Sequence, residues 1–216
     1  ENPCSRFRSR REPGRIIVIP DDVLRRLLDA PCQDRYAGVR DRAMMMLMID
    51  TGTRPQEIRK LMPEDVDFDA QVLNIRGEVA KTKEPRSLPI SDIAVVAIRK
   101  LLSIRPPEWK GSTLFCTESG RQMSTKVLGE RFKVYRTAIG EQNICAYSLR
   151  HSFATGMIRH GASADSVRIM LGHKNFDMLK VYLHLCDDDV RREHEAHSPL
   201  LSLLPQPTKR VRRVKE

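Results

Sequence analysis

The sequence predicts a mostly α-helical domain that carries a small antiparallel β-sheet, an α+β fold. Over most of the 216-residue chain, apolar side chains recur at the three- and four-residue spacing of amphipathic helices. Residues 66–90 differ, because short apolar runs there are separated by polar turns, and alternation is clearest in Val72-Leu73-Asn74-Ile75. The length suits one domain, with or without flanking arms.

The first half of the chain is predicted to contain three helices after a basic arm. Residues 1–15 hold five arginines together with prolines and a glycine, a composition typical of a linker. A short extended run at 16–19 precedes the first helix, which begins after Pro20. Gly52 ends the second helix, whose methionines are typical of core packing, and Pro55 begins the third. These predicted helices span residues 21–29, 36–50 and 55–61.

The second half is predicted to contain the sheet and then further helices. Ser91 caps a helix that runs to about residue 104, and Ser124 begins another. Gly161 separates two helices that follow, and Gly172 ends the second of them. One more helix is expected at 187–196. The predicted strands span residues 66–68, 72–75 and 86–90.

The net charge indicates a polyanionic partner, and nucleic acid is the one we expect. The chain carries a formal charge of +10, of which residues 1–15 contribute +3 and residues 198–216 contribute +4. The body between these segments is therefore only mildly basic, and charge by itself is weak support for DNA binding by the core.

Composition and motifs argue against several classes of protein. No apolar run approaches the roughly 20 residues that span a bilayer, and no signal peptide opens the chain, so we expect a cytoplasmic protein without a membrane partner. We expect neither a nucleotide nor a metal cofactor, because no phosphate-binding glycine loop, zinc motif or acidic cluster is present. The five cysteines lack metal-ligand spacing and are typical of reduced thiols (Cys4, Cys32, Cys116, Cys145, Cys186).

The most informative stretch contains an arginine, two histidines and a tyrosine. Arg150 and His151 begin one predicted helix, His173 follows the next, and Tyr182 lies on a third, with spacings of 23 and 9 residues from Arg150 to His173 to Tyr182. Short connections fold neighbouring helices together, so these groups are expected to face one pocket. A guanidinium that binds phosphate, an imidazole and a phenol suit phosphoryl transfer. Taken singly, an arginine at a helix start is more often a solvated charge, and a histidine after a glycine is often a cap. A tyrosine on an amphipathic helix is usually a half-buried packing residue.

A further arginine, Arg54, is predicted to lie beside a helix amino end that favours anions. The residue before a proline avoids the helical conformation, whereas Pro55 suits a first helical turn. The free N–H groups of that turn attract an anion, and an arginine beside them makes a phosphate site. Glu57 is expected either to brace the guanidinium or to cap the helix. An isolated Arg-Pro pair would instead indicate a surface turn.

Together these motifs resemble the tyrosine recombinase (phage-type integrase) family, over residues 16–197. The resemblance implies the catalytic-domain fold of that family and a site-specific recombinase that cleaves and rejoins DNA through a covalent 3′-phosphotyrosine intermediate. The matching segments are Arg150-His151-Ser152-Phe153-Ala154-Thr155, Leu171-Gly172-His173, Tyr182-Leu183-His184 and Thr51-Gly52-Thr53-Arg54-Pro55-Gln56-Glu57.

The resemblance implies a catalytic role for each of four residues. Tyr182 would attack the scissile phosphate as the nucleophile. Arg54 and Arg150 would stabilise the charge on the non-bridging oxygens, and His173 would hydrogen-bond to the phosphate.

Two more catalytic positions follow from the resemblance. Lys81, in the loop between the last two strands, would protonate the leaving oxygen, with Lys83 as the alternative. Three residues before the second arginine the family most often has histidine, and here it has Tyr147. A phenol with a pKa near 10 is a poor base at neutral pH, so we expect Tyr147 to donate a hydrogen bond. His151 is adjacent to the arginine, but consecutive helix residues point in different directions, and the group that deprotonates Tyr182 stays open.

Partners and domain boundaries also follow from the resemblance. Double-stranded DNA is the expected substrate, with self-association into a synaptic tetramer and accessory DNA-bending proteins as further candidates. Residues 1–15 would link to a missing amino-terminal DNA-binding domain, and 16–197 would form the catalytic domain. Residues 198–216 would form a docking tail that binds through its leucines in cis or in trans (Leu200, Leu201, Leu203, Leu204). Two alternatives are a type IB topoisomerase and a catalytically impaired DNA-binding regulator.

Overall fold

The structure, a computed structural model, describes residues 17–184. Within this range it is mostly helical with one small antiparallel sheet, which confirms the predicted fold class. The helices are α1 (Asp21–Asp29), α2 (Tyr36–Thr51), α3 (Pro55–Ile58), α4 (Asp92–Ser103), α5 (Thr125–Ala138), α6 (Ala146–Arg159), α7 (Ala164–Leu171) and α8 (Asp177–His184). The strands are β1 (Val66–Asp67), β2 (Val72–Ile75) and β3 (Arg86–Pro89).

The three strands form an antiparallel sheet in chain order. β2 lies in the centre, and its Leu73 pairs with Val66 of β1 on one side and with Leu88 of β3 on the other. All three side chains are buried. Because side chains alternate between the two faces of a strand, this row places one face of the sheet on the hydrophobic core.

Helix α2 forms the centre of the core. It packs against both α4 and α6. Its methionines Met44, Met45 and Met48 are at most 1% exposed. The expected core-packing role of the methionines is therefore confirmed for these three, and the unbranched side chains fill the space between the surrounding helices.

Helix α3 is shorter than predicted, ending at Ile58 instead of near residue 61. The chain leaves the helix through a turn in which the Lys60 N–H donates to the Glu57 carbonyl at 2.9 Å. The Leu61 carbonyl then accepts a hydrogen bond from the Leu114 N–H at 2.7 Å, a distant partner that sequence spacing does not reveal.

A smaller second core joins α6, α7 and α8. Phe153 of α6, Leu171 of α7 and both Leu179 and Tyr182 of α8 are buried together in it. Because three short helices share this core, it determines where the side chains of α8 lie relative to those of α6.

Several expectations fall outside the described residues. They concern the basic arm at 1–15, the helix at 187–196 and the tail at 198–216. Across residues 17–184, no helix combines the length and apolar character needed to cross a membrane. The same range contains no group of three His, Cys, Asp or Glu side chains that could hold a metal ion.

The end of α2 generates a test of how tightly the two cores meet. Gly52 has a φ of 63°, and a methyl group there would overlap the ring of Phe153 and lie 2.9 Å from Leu171 Cδ2. We expect Gly52→Ala to lower the free energy of unfolding by about 2 to 4 kcal/mol, through backbone strain and overpacking. Gly129→Ala is the control, because an added methyl group meets nothing within 4 Å. In urea unfolding, this control should raise the free energy of unfolding by up to about 1 kcal/mol. An equal increase for Gly52→Ala would contradict the expectation.

Candidate active site

Arg54 lies at the junction between α2 and α3. Gly52 ends α2 in the left-handed conformation, and Arg54 is extended (φ −70°, ψ 146°) immediately before Pro55. The pre-proline position therefore adopts the backbone that the sequence predicts. The Arg54 side chain is only 11% exposed, so its charge requires partners inside the protein.

A buried carboxylate, Glu57, supplies one of those partners and also binds a second arginine. Its Oε1 accepts from Arg54 Nη1 at 3.0 Å, and its Oε2 accepts from the Arg54 backbone N–H at 3.1 Å. Arg86, the first residue of β3, donates from Nη2 to Oε2 at 2.6 Å and from Nη1 to Oε1 at 3.3 Å. We call Arg54, Glu57 and Arg86 the Glu57 clamp. Glu57 thus braces the guanidinium and caps α3 at once.

Arg150, in the first part of α6, is held almost entirely by neutral groups. Its Nη1 donates to the Gly52 carbonyl at 2.6 Å, and its Nη2 donates to the Leu171 carbonyl at 2.7 Å. The same Nη2 lies 3.0 Å from His173 Nε2. Within residues 17–184, no carboxylate lies within ion-pair distance of Arg150, which is 4% exposed.

The carboxyl end of α7 binds three arginines through three consecutive carbonyls. The Met170 carbonyl accepts from Arg86 Nε at 3.1 Å, and the Gly172 carbonyl accepts from Arg54 Nη2 at 3.3 Å. The Leu171 carbonyl between them accepts from Arg150. The last carbonyls of a helix have no partner within it and carry its negative dipole end, so they suit cations.

His173 follows the left-handed Gly172 that ends α7. Burial lowers the pKa of His173 to about 4, and the positive charges of Arg150 and Arg54 act in the same direction. The imidazole is therefore neutral at pH 7. Arginine can only donate, so Nε2 accepts from Arg150 and the proton lies on Nδ1. This Nδ1–H is buried and has no acceptor in the described part of the chain.

The site has an excess of buried positive charge. Three guanidinium groups, from Arg54, Arg86 and Arg150, face the single carboxylate of Glu57. Burial lowers the pKa of Arg150, and the charge of Arg54 lowers it further. An arginine nevertheless stays protonated in proteins, so this crowding is a cost that a bound anion would relieve. The excess of positive charge makes the arrangement suited to binding a phosphate.

Tyr182 is 4% exposed, in the small core on α8. Its hydroxyl lies 2.8 Å from Nδ1 of His151, a residue of α6. Burial raises the pKa of Tyr182, while the charges of Arg150 and Arg54 oppose that rise. The structure therefore brings Arg54, Arg150, His173 and Tyr182 to one place.

Lys81 and Tyr147 are not joined to that group by hydrogen bonds. Lys81 lies exposed in the loop between β2 and β3, as does the alternative Lys83. Tyr147 lies in the first turn of α6 with 44% of its surface exposed. In the described part of the chain, neither Lys81 nor Tyr147 makes a side-chain hydrogen bond within the protein. Their implied catalytic roles stay predictions.

Sequence reasoning missed two contacts of the site. One is Arg86, for which a signal existed: it lies two residues before the buried Leu88 in the same strand, so it shares the inward face and needs an anionic partner. The other is His151, which reaches Tyr182 from 31 residues away. No local pattern reveals that contact, because it depends on how α8 packs against α6.

The Glu57 clamp generates a prediction about stability. Glu57→Gln removes the carboxylate charge that lies between two buried guanidinium groups, so we expect the free energy of unfolding to fall by about 3 kcal/mol. The matched control is Glu84→Gln, because Glu84 forms an exposed ion pair with Lys174 at 3.1 Å. The control should change stability by less than about 0.5 kcal/mol in urea unfolding. Equal effects of the two substitutions would refute the clamp's structural role.

The same clamp predicts how stability depends on pH. Burial alone would raise the pKa of Glu57, but the hydrogen bonds and charges of Arg86 and Arg54 outweigh it and lower the pKa to about 2, from an ordinary value of 4.5. A lowered pKa means that the carboxylate stabilises the fold fully above pH 4.5 and that this contribution is lost as the pH falls towards 2. Urea unfolding of the wild type and Glu57→Gln should therefore converge over that interval. A constant difference would contradict the assignment.

Comparison with known proteins agrees with this geometry. The model of the Phage integrase family matches residues 18–188. The tyrosine recombinase XerD of Proteus mirabilis is 28% identical over 187 residues, which cover 84% of this chain and 59% of that protein. The chain thus spans about three fifths of the length of this curated relative.

Two solved structures show the same fold. The XerA recombinase has a TM-score of 0.69 at 23% identity, with 87% of this chain and 66% of that chain covered. The Tn1549 transposon integrase, solved in complex with circular intermediate DNA, has a TM-score of 0.68 at 17% identity. The match covers 79% of this chain and 63% of that chain. Because the family model matches more than half of the sequence, the chain belongs to the phage integrase family of tyrosine recombinases.

Proposed function

We propose that the chain is the catalytic part of a site-specific DNA recombinase that acts through a covalent 3′-phosphotyrosine at Tyr182. One observation carries the proposal: Arg150 is buried without a carboxylate, contacts His173, and acts electrostatically on a buried tyrosine. A buried arginine that lacks an anion, close to a nucleophile, is suited to a substrate that brings the negative charge itself.

Binding of the scissile phosphate would use the side chains that carry the excess positive charge of the site. Arg54 and Arg150 would stabilise the charge on the non-bridging oxygens as it grows in the transition state, a contribution of several kcal/mol. His173, which contacts Arg150, would hydrogen-bond to the phosphate. Glu57 would keep Arg54 in place through its two-oxygen contact.

The chemical step would exchange one phosphate ester for another. The Tyr182 hydroxyl gives up its proton to a base as its oxygen attacks phosphorus, the bond from phosphorus to the 5′ oxygen breaks, and the leaving oxygen takes a proton from Lys81. The products are a 3′-phosphotyrosine and a free 5′-hydroxyl. The covalent link conserves the energy of the phosphodiester, so rejoining to a new 5′-hydroxyl requires no nucleotide cofactor.

The substrate would be double-stranded DNA held by several protomers. The DNA complex of the Tn1549 transposon integrase, which has this fold, supports DNA as the ligand. A synaptic tetramer, accessory DNA-bending proteins and a cytoplasmic location follow from the same proposal. Residues 1–15 as a link to a further DNA-binding domain and residues 198–216 as a docking tail belong to the same proposal.

The nucleophile is tested by Tyr182→Phe on a nicked duplex that carries one end of the mobile element encoding the chain. Loss of the 5′-hydroxyl fragment at the nick traps the covalent product. The wild type should form a denaturation-resistant adduct and Tyr182→Phe none, although both bind the duplex in gel shifts. Tyr36→Phe is the matched control, because its hydroxyl bonds to Cys116 and to no other residue in the described part of the chain. This variant should form the adduct. An adduct from Tyr182→Phe would contradict the assignment of Tyr182 as the nucleophile.

Tyr147 is tested on the same substrate. If its hydroxyl donates to the bound phosphate or the nucleophile, Tyr147→Phe should slow adduct formation by about 10- to 100-fold, a loss of about 1.4 to 2.7 kcal/mol. Tyr147→His should retain activity, because histidine can also donate. A Phe variant that cleaves at the wild-type rate would show that this exposed side chain has no part in the reaction.

A further inference from the structure

The buried hydroxyl of Tyr182 has one side-chain partner in the described part of the chain, His151. The two side chains approach from different helices, α6 and α8, with Tyr182 Oη 2.8 Å from His151 Nδ1 and the ring centroids 5.7 Å apart. This distance is typical of a direct hydrogen bond. The contact therefore joins the proposed nucleophile to a group that can exchange protons.

The surroundings of His151 favour the acceptor role for Nδ1. Burial lowers the pKa of His151, and the adjacent charge of Arg150 lowers it further, so the ring is neutral at pH 7. A neutral imidazole carries a proton on one nitrogen and accepts on the other. With the proton on Nε2, Nδ1 accepts the hydrogen bond from the tyrosine hydroxyl.

Tyr182 needs such an acceptor, because burial raises its pKa and makes a free phenolate costly before attack. Among the side chains that the structure describes, the other candidate bases are poorly placed. Tyr147 is exposed and has no hydrogen bond to Tyr182, and the Glu57 carboxylate is already held by Arg54 and Arg86. His173 Nε2 accepts from Arg150 instead.

We propose that His151 is the general base of the reaction, an assignment that rests on the proposed function. The Tyr182 O–H bond breaks as the oxygen attacks phosphorus, and the proton moves to His151 Nδ1, which leaves an imidazolium. In rejoining, a 5′-hydroxyl attacks the phosphotyrosine and gives its proton back to the neutral Lys81 amine. The bond from phosphorus to the Tyr182 oxygen breaks, and the imidazolium returns its proton to that oxygen. His151 thus takes the role that the Tyr147 phenol fills poorly.

Two substitutions separate proton transfer from simple positioning. In His151→Asn the side-chain amide occupies the place of Nδ1 and keeps a hydrogen bond to Tyr182, but it cannot take up a proton. His151→Phe removes both functions. We expect each to slow single-turnover adduct formation on the nicked duplex by at least about 100-fold, with DNA binding and thermal unfolding retained.

The matched control is His160→Asn, the same change at the residue that follows the last residue of α6. His160 is exposed, and within the described residues its ring bonds only to the Gly156 carbonyl. This variant should cleave at the wild-type rate. Wild-type rates for His151→Asn would overturn the assignment, because a hydrogen bond alone would then suffice. A faster His151→Phe would also overturn it, since the contact would then restrain the nucleophile.

A duplex with sulfur in place of the bridging 5′ oxygen distinguishes the base from the acid. A thiolate leaves without a proton, so Lys81→Ala should recover on this substrate, whereas His151→Asn should stay slow. Recovery of His151→Asn would place its action on the leaving group and overturn the assignment. A wild-type protein that forms no adduct on either duplex overturns the proposed function itself, whereas an active wild type with unaffected His151 variants overturns only this inference.

Discussion

The buried carboxylate of Glu57 is the constraint on which the positions of the arginines in the site depend. It is 1% exposed and lies between the guanidinium groups of Arg54 and Arg86. Without that negative charge, the two arginines would repel one another in a region of low dielectric, and neither would hold a single position. The clamp joins the start of α3 to the start of β3, so the sheet helps to position the guanidinium group of Arg54.

A second constraint comes from the ends of helices. Arg54, Arg86 and Arg150 each bond to one of three successive carbonyls at the end of α7, and Arg150 also bonds to the Gly52 carbonyl at the end of α2. These carbonyls bring negative partial charge without a full anion. The arginines are therefore ordered in advance, yet their total charge is not neutralised, which leaves the site prepared for a phosphate.

The sequence by itself determined the fold class and the chemical groups of the site. Helix and strand periods differ, so the small sheet at 66–90 stands out among amphipathic helices. Local chemistry also predicted the backbone around the site, since Gly52 ends α2 in the left-handed conformation and Arg54 is extended before Pro55. Each of these features depends on residues a few positions apart, and steric rules that act over that distance can be recognised in a single chain.

Only the tertiary structure decided which of these groups touch. Arg86 reaches Glu57 across 29 positions, and His151 reaches Tyr182 across 31, in each case between separate elements. Consecutive residues of one helix point in different directions, but the contact between His151 and Tyr182 depends on where α8 packs against α6. That packing follows from the small core shared by α6, α7 and α8. The burial of many side chains together, which no local spacing records, therefore decided which side chain contacts Tyr182.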